Sequence, residues 1–121
     1  MVGILLAALK RVHEGTGDQA VGQAIVDGAR YLVQNLWEDD VKAFRYTSCP
    51  DSHGGGSLNA QILEGIGYAW ALSGDEALGE TLRSGLDYCL VEISPATSPP
   101  VGKDVSTRLR SMPFIMRRVR K

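Results

Sequence analysis

Between residues 19 and 36 an apolar or small residue returns every three or four positions: Val21, Ala24, Ile25, Gly28, Ala29, Leu32, Val33 and Leu36. That spacing lines up one stripe of a helix with 3.6 residues per turn. Gln19, Gln23, Asp27, Arg30 and Gln34 fall on the other face. Leu78, Leu82, Gly85, Leu86, Cys89, Leu90 and Ile93 follow the same rule later in the chain. Both stretches predict helices with one wet side. The segments before them differ. "GILLAAL" at 3–9 and "AQILEGIGYAWAL" at 60–72 are apolar nearly all round, which predicts helices covered on both sides. The pattern is two helical hairpins, each with a buried inner helix and a half-wet outer one.

The hairpins are written twice. "GDQAVGQ" at 17–23 returns as "GDEALGE" at 74–80, and the offset of 57 residues also pairs Leu6 with Leu63, Gly28 with Gly85 and Tyr31 with Tyr88. Leu9 with Ile66, Thr16 with Ser73, Ile25 with Leu82 and Leu36 with Ile93 are conservative pairs, and no gap is needed from about 5 to 36. The alignment reads as an internal repeat. Gly17 and Gly74 suit the left-handed conformation that ends a helix, and Asp18 and Asp75 suit the N-cap of the next one. Gly28 and Gly85 each cost roughly 1 kcal/mol of helix propensity. The matched cost predicts another helix passing close at both places.

The chain therefore reads as one all-α domain over 1–121, with a hairpin at 4–36, a connector at 37–59, a second hairpin at 60–93, a linker at 94–103 and a basic amphipathic helix at 104–121. The connector is long for a helix junction. Val41, Phe44 and Tyr46 make a β-prone patch in it, and "PDSHGGGS" is turn-rich. The last helix has an apolar stripe at Val105, Leu109, Met112, Met116 and Val119, with Pro113 expected to bend or interrupt it.

Composition adds limits. A hydrophobic content of 44% with 22% charged residues is that of a soluble globular chain, and cytoplasmic location is the expectation. No run of apolar residues is long enough to span a membrane. "MVGILLAAL" lacks the basic start and cleavage site of a signal peptide and reads as helix. Cys49 and Cys89 form no CxxC and read as thiols. The net charge of −1 divides unevenly: residues 1–100 hold 6 basic and 13 acidic residues, and residues 101–121 hold 7 basic residues and only Asp104. The acidic body argues against broad nucleic-acid binding. The tail, with Arg108, Arg110, Arg117, Arg118, Arg120 and Lys121, leaves a local contact with an acidic polymer open.

Alternating inner and outer helices, the "GD" joint and "FRYTSCPDS…LNAQILEGIGYAWALSGDEALGETL" resemble the (α/α) toroids. These are the six-hairpin glycosidases, with the related polysaccharide lyases and sugar epimerases, and the terpenoid-cyclase-like toroids. The likeness covers about residues 4–93 and is one of architecture, so it carries no catalytic residue over. A full toroid needs about six hairpins, and this chain has two and the start of a third. The resemblance implies a fragment or small relative of a carbohydrate-active protein without catalysis of its own. Any enzyme activity would be glycoside hydrolysis, polysaccharide lysis or sugar epimerisation. In such toroids the outer-to-inner connections enter the cleft, which makes Arg45, Tyr46, Asp51, His53 and Asn59 the candidate substrate-binding residues. Asp51 suits acid or base work, Tyr46 stacking on a sugar, and Arg45 a fork to a uronate carboxylate. The plain alternative is a solvated connector.

Other signals read as structure. The run Glu38, Asp39, Asp40 reads as a solvated acidic loop, and His13 as packing. "HGGGS" has no nucleophile elbow to serve. No metal and no cofactor are expected. Two hairpins leave open seams at Leu5, Leu9, Ile62 and Ile66, so a homo-oligomer, with a dimer favoured, is the expected partner state. The functional alternative to the toroid reading is a hairpin module for protein–protein interaction. A basic-tailed binder of nucleic acid or acidic polymer is a third.

Overall fold

The computed structural model describes residues 2–45, 59–92 and 102–120. Five helices account for most of them: α1 (Val2–Thr16), α2 (Gln19–Leu36), α3 (Asn59–Ser73), α4 (Glu76–Glu92) and α5 (Gly102–Val119). Two short strands, β1 (Trp37–Glu38) and β2 (Ala43–Phe44), pair antiparallel between α2 and α3, with Trp37 opposite Phe44 and Glu38 opposite Ala43. The fold is all-α apart from this small hairpin, which forms in the β-prone patch of the connector.

The joint between the helices of each hairpin is built from the same bonds. Gly17 has φ 64° and donates its N–H to the His13 carbonyl at 2.8 Å; Gly74 has φ 69° and donates to Trp70 at 2.8 Å. The Thr16 hydroxyl donates to the Val12 carbonyl at 2.8 Å, as that of Ser73 does to Ala69 at 2.8 Å. Asp18 and Asp75 then cap the outer helices. Asp18 Oδ1 accepts from the Ala20 N–H at 2.8 Å and Asp75 Oδ1 from the Ala77 N–H at 3.2 Å. Each bond has its counterpart 57 residues on.

Contacts fix the helix directions. Gly3 meets Ile62, Leu6 meets Gly65, and His13 meets Tyr68, so α1 and α3 run parallel. Gly67 meets Arg118, while Gln61 and Arg110 line one hollow further back, so α5 runs the same way. Leu6 against Gly28 and His13 against Gly22 set α2 antiparallel to α1. Leu63 against Gly85 and Trp70 against Gly79 set α4 antiparallel to α3. The result is an inner row of α1, α3 and α5 backed by α2 and α4. Helix α3 packs on all four of the others. The core is Leu6, Ile25, Leu32, Leu63, Ile66, Leu78, Leu82 and Ile115, none more than 1% exposed.

Three expectations need correction. Ile66 was expected at an open seam and is 0% exposed, because four helices enclose α3; Leu9 and Ile62 are half-buried, and Leu5, at 54% exposed, is left bare. Helix α1 is accordingly covered on one side only. Among the described side chains of α5, Ser111 and Ile115 are 0% exposed, Met112 and Val119 of the expected stripe are half-buried against the core, and Leu109 and Met116 are 48% and 40% exposed. Both sides of α5 carry apolar residues, and packing on α3 selects the side with the compact Ser111. The helix also continues through Pro113, which forgoes one backbone bond. Val105, the first residue of the expected stripe, has its side chain outside the described residues.

The close approaches make the glycines testable. A Cβ on Gly85 would lie 2.7 Å from Leu63 Cδ2, whereas one on Gly15 would meet nothing within 4 Å. Overpacking costs about 1–3 kcal/mol against the roughly 1 kcal/mol that alanine gains in a helix. In urea unfolding Gly85→Ala should lower stability by about 1 kcal/mol and Gly15→Ala should raise it by about 0.5–1 kcal/mol. Gly17→Ala, forced to positive φ, should cost about 1 kcal/mol.

Candidate functional site

Helix α3 is the most apolar of the five, yet it carries Gln61, Glu64 and Tyr68 at positions i, i+3 and i+7 of one face. A buried polar side chain must find a partner or lose the bonds it made with water. Lys10 of α1 supplies one partner. Its Nζ donates to Glu64 Oε1 at 2.9 Å, with the two side chains 6% and 10% exposed. The same ammonium sits 3.8 Å from the centroid of the Phe114 ring of α5. His13 of α1 supplies another, with Nδ1 2.8 Å from the Tyr68 hydroxyl and the rings edge to face at 5.8 Å. Arg118 lies over the Tyr68 ring at 5.3 Å.

These residues wall two adjoining hollows between α1 and α5, with α3 as the floor. One, of about 200 Å³, is lined by Ile4, Ala7, Ala8, Arg11, Gln61, Glu64, Arg110 and Phe114. The other, of about 50 Å³, is lined by Lys10, Glu14, Glu64, Tyr68, Phe114, Arg117 and Arg118. Glu64 and Phe114 belong to both, so together they form one groove along the inner row. It holds five cationic side chains against two carboxylates. Burial raises the Tyr68 pKa above the ordinary tyrosine value, and the nearby Glu14 carboxylate adds to the rise; Arg118 opposes it in part. The phenol therefore stays protonated at neutral pH and can donate a hydrogen bond.

A third hollow, of about 380 Å³, lies between the β-hairpin and α4 and includes Trp37, Asp39, Lys42 and Arg83. Among the described residues, three of its four charged side chains, Asp39, Lys42 and Arg83 but not Glu80, are in ion pairs. Lys42 Nζ contacts Asp39 Oδ1 at 2.7 Å, which lowers the Asp39 pKa, and Arg83 contacts Glu76 at 2.8 Å. Lys42 has φ 62°, so its backbone stands in a tight turn. Among the described residues no group of three His, Cys, Asp or Glu side chains is placed to hold a metal, and no helix is long and apolar enough to cross a membrane.

Of the residues expected from the sequence, Tyr46, Asp51 and His53 lie outside the described residues, as does Cys49. Arg45 and Asn59 are described. Asn59 is 3% exposed and its amide matches the backbone of Phe44, accepting from the N–H at 2.6 Å and donating to the carbonyl at 3.4 Å. It ties the start of α3 to β2. Arg45 donates from Nη2 to the Asn35 carbonyl at 2.6 Å and faces Glu38 at 3.7 Å. It ties β2 to the end of α2. Both stand at the base of the connector, and Gln61, two residues past Asn59, opens the groove. Lys10, Glu64, Tyr68 and Phe114 escaped the sequence reading. Their signal was present in the polar i, i+3, i+7 row on α3, and nothing in the sequence placed Lys10 or Phe114 beside it. His13 was read as packing, and the structure gives it a hydrogen bond as well.

Compared with protein-family models, with curated proteins and with solved structures, the chain matches none of them.

Two measurements check the site. Breaking a buried ion pair leaves one charge unmatched and costs about 3 kcal/mol or more. Lys10→Met or Glu64→Leu alone should therefore destabilise the protein by about that amount in urea, and the double variant should recover most of the loss. For Tyr68 the folded state holds the phenolic proton more tightly than the unfolded chain does. Its contribution to stability is complete below about pH 10 and is lost as pH rises through the higher folded pKa. In an absorbance titration of the four tyrosines, the component missing from Tyr68→Phe should ionise above that pH.

Proposed function

We propose that this chain is an inner-and-outer helical-hairpin unit of the (α/α)-toroid kind, and that the groove along its inner row holds an anionic saccharide, such as a uronate oligomer, without cleaving it. One observation carries the reading: three parallel inner helices direct Lys10, Gln61, Tyr68 and Phe114 into one groove bordered by Arg11, Arg110, Arg117 and Arg118. Guanidinium groups pair carboxylates through two parallel hydrogen bonds. The exposed Phe114 ring offers a face for a sugar, and the Gln61 amide and Tyr68 hydroxyl offer bonds to its hydroxyls. Glu64 is committed to Lys10 at 2.9 Å, which favours binding over acid–base catalysis.

The alternative of a protein-interaction module has its own support in the bare apolar residues of α1: Ile4, Leu5 and Val12 are 52%, 54% and 48% exposed. The two readings are compatible, since Leu5 and Val12 lie outside the lining of the groove, which takes in only Ile4 of the three.

The test is titration with uronate oligomers, followed by amide chemical shifts. Shifts should cluster at Gln61, Glu64, Tyr68 and Phe114, and the paired substitution Arg110→Glu with Arg117→Glu should weaken binding by about tenfold or more. Neutral oligomers of the same length should leave the spectrum unchanged. A response to polyphosphate or nucleic acid with none to uronates would transfer the groove to the acidic-polymer reading.

A further inference from the structure

The 57-residue correspondence says more about α1 than its exposure does. Helix α1 covers α3 at Ile62 and Gly65, where Gly3 and Leu6 come into contact. The residues of α1 that correspond to Ile62 and Gly65 are Leu5 and Ala8, and both are exposed. The joint follows suit. Asp75, at the head of α4, is bound by Arg30 of the preceding outer helix at 2.9 Å, and its counterpart Asp18 is exposed with only its own helix's N–H groups as partners among the described contacts. Leu5, Ala8 and Val12 thus form the surface on which a preceding inner helix would lie, with Ala8 at the rim shared with the groove, and Asp18 stands where the correspondence places a cation of a preceding outer helix.

A helix suited to that surface exists on the opposite edge of the same chain. The outward side of α5 presents Leu109, Pro113, Met116 and Arg120 at i, i+4, i+7 and i+11, all exposed. Helix α5 is parallel to α1, as an inner neighbour must be. Parallel seating brings Arg120, at the C-terminal end of that outward side, level with Asp18 at the end of α1; Arg117 and Glu14 already line the groove within one chain. The charges are of opposite sign, like those of Arg30 and Asp75, although in that pair the cation comes from an outer helix.

We propose that the bare side of α1 is the seat of a second copy of this chain, whose α5 lies on it in parallel, head to tail. The contact uses two different surfaces, so it is heterologous and builds rings or open chains rather than a closed symmetric pair. The exposed charge pair steers register and weakens with salt.

Sedimentation and light scattering of the full chain test this directly. The parent should gain mass with concentration, less so at high salt. Leu5→Glu with Ala8→Glu breaks one surface, and Leu109→Glu with Met116→Glu breaks the other. Each variant alone should be monomeric, with an apparent Kd raised by about tenfold or more, while their mixture should give a one-to-one dimer and nothing larger. Circular dichroism checks that each variant keeps its helices, and Val12→Lys is the milder replacement if the first does not. A parent that stays monomeric at the highest soluble concentration overturns the proposal. So does an α5 variant that still associates alone, because that would mean α1 pairs with α1, or a mixture that remains monomeric.

Discussion

Gly65 has no side chain, and Leu6 of the neighbouring helix fills the space, its Cβ 2.8 Å from where a Gly65 Cβ would stand. The rest of the structure depends on approaches of this kind. Leu63 is set into Gly85 as Leu6 is into Gly28, and Leu82 lies 3.3 Å from the Cβ position of Gly67. Each glycine in a helix interior costs about 1 kcal/mol in propensity. Full burial of each leucine returns about 1.5–3 kcal/mol, so the exchange favours close packing. Without these approaches α3 could not hold four helices against itself.

Enclosing α3 has a chemical consequence. A helix with no wet side has to satisfy every polar residue it carries inside the protein. Gln61, Glu64 and Tyr68 share one face, and α1 and α5 reach over that face with Lys10, His13, Phe114 and Arg118. The two flanking helices do not close over α3 completely, and a groove remains with these residues as its walls. Packing and site are therefore one arrangement. The aliphatic stem of Lys10 covers apolar surface while its ammonium serves both Glu64 and the Phe114 ring.

The hairpin joint was legible because every part of it is local. A glycine that must adopt positive φ, an aspartate that caps the helix two residues later and a hydroxyl that bonds back to position i−4 are all set within the nine residues from Val12 to Ala20. Gly28 and Gly85 were readable as close contacts because a helix breaker at matched positions calls for a common reason. The candidate site was less legible. Arg45 and Asn59 are candidates because in toroids the outer-to-inner connections enter the cleft; in this structure their side chains bond to the backbone of Asn35 and Phe44. A polar residue near a loop can serve either purpose, and the choice depends on which backbone groups the fold leaves unpaired.

By itself the sequence determined the helices, their order and the two joints, since propensity, capping and amphipathic spacing act over a few residues; that α1 is covered on one side only, and is less buried than α2, was decided by the tertiary structure. Only the tertiary structure decided which side of α5 is inside, because Leu109 and Met116 on one side and Ile115 on the other are comparable as apolar faces, and packing on α3 separates them. It also decided that Lys10 meets Glu64, 54 residues away. No pattern along the chain announces that pair, whose geometry comes from the depth at which α1 rests on Gly65.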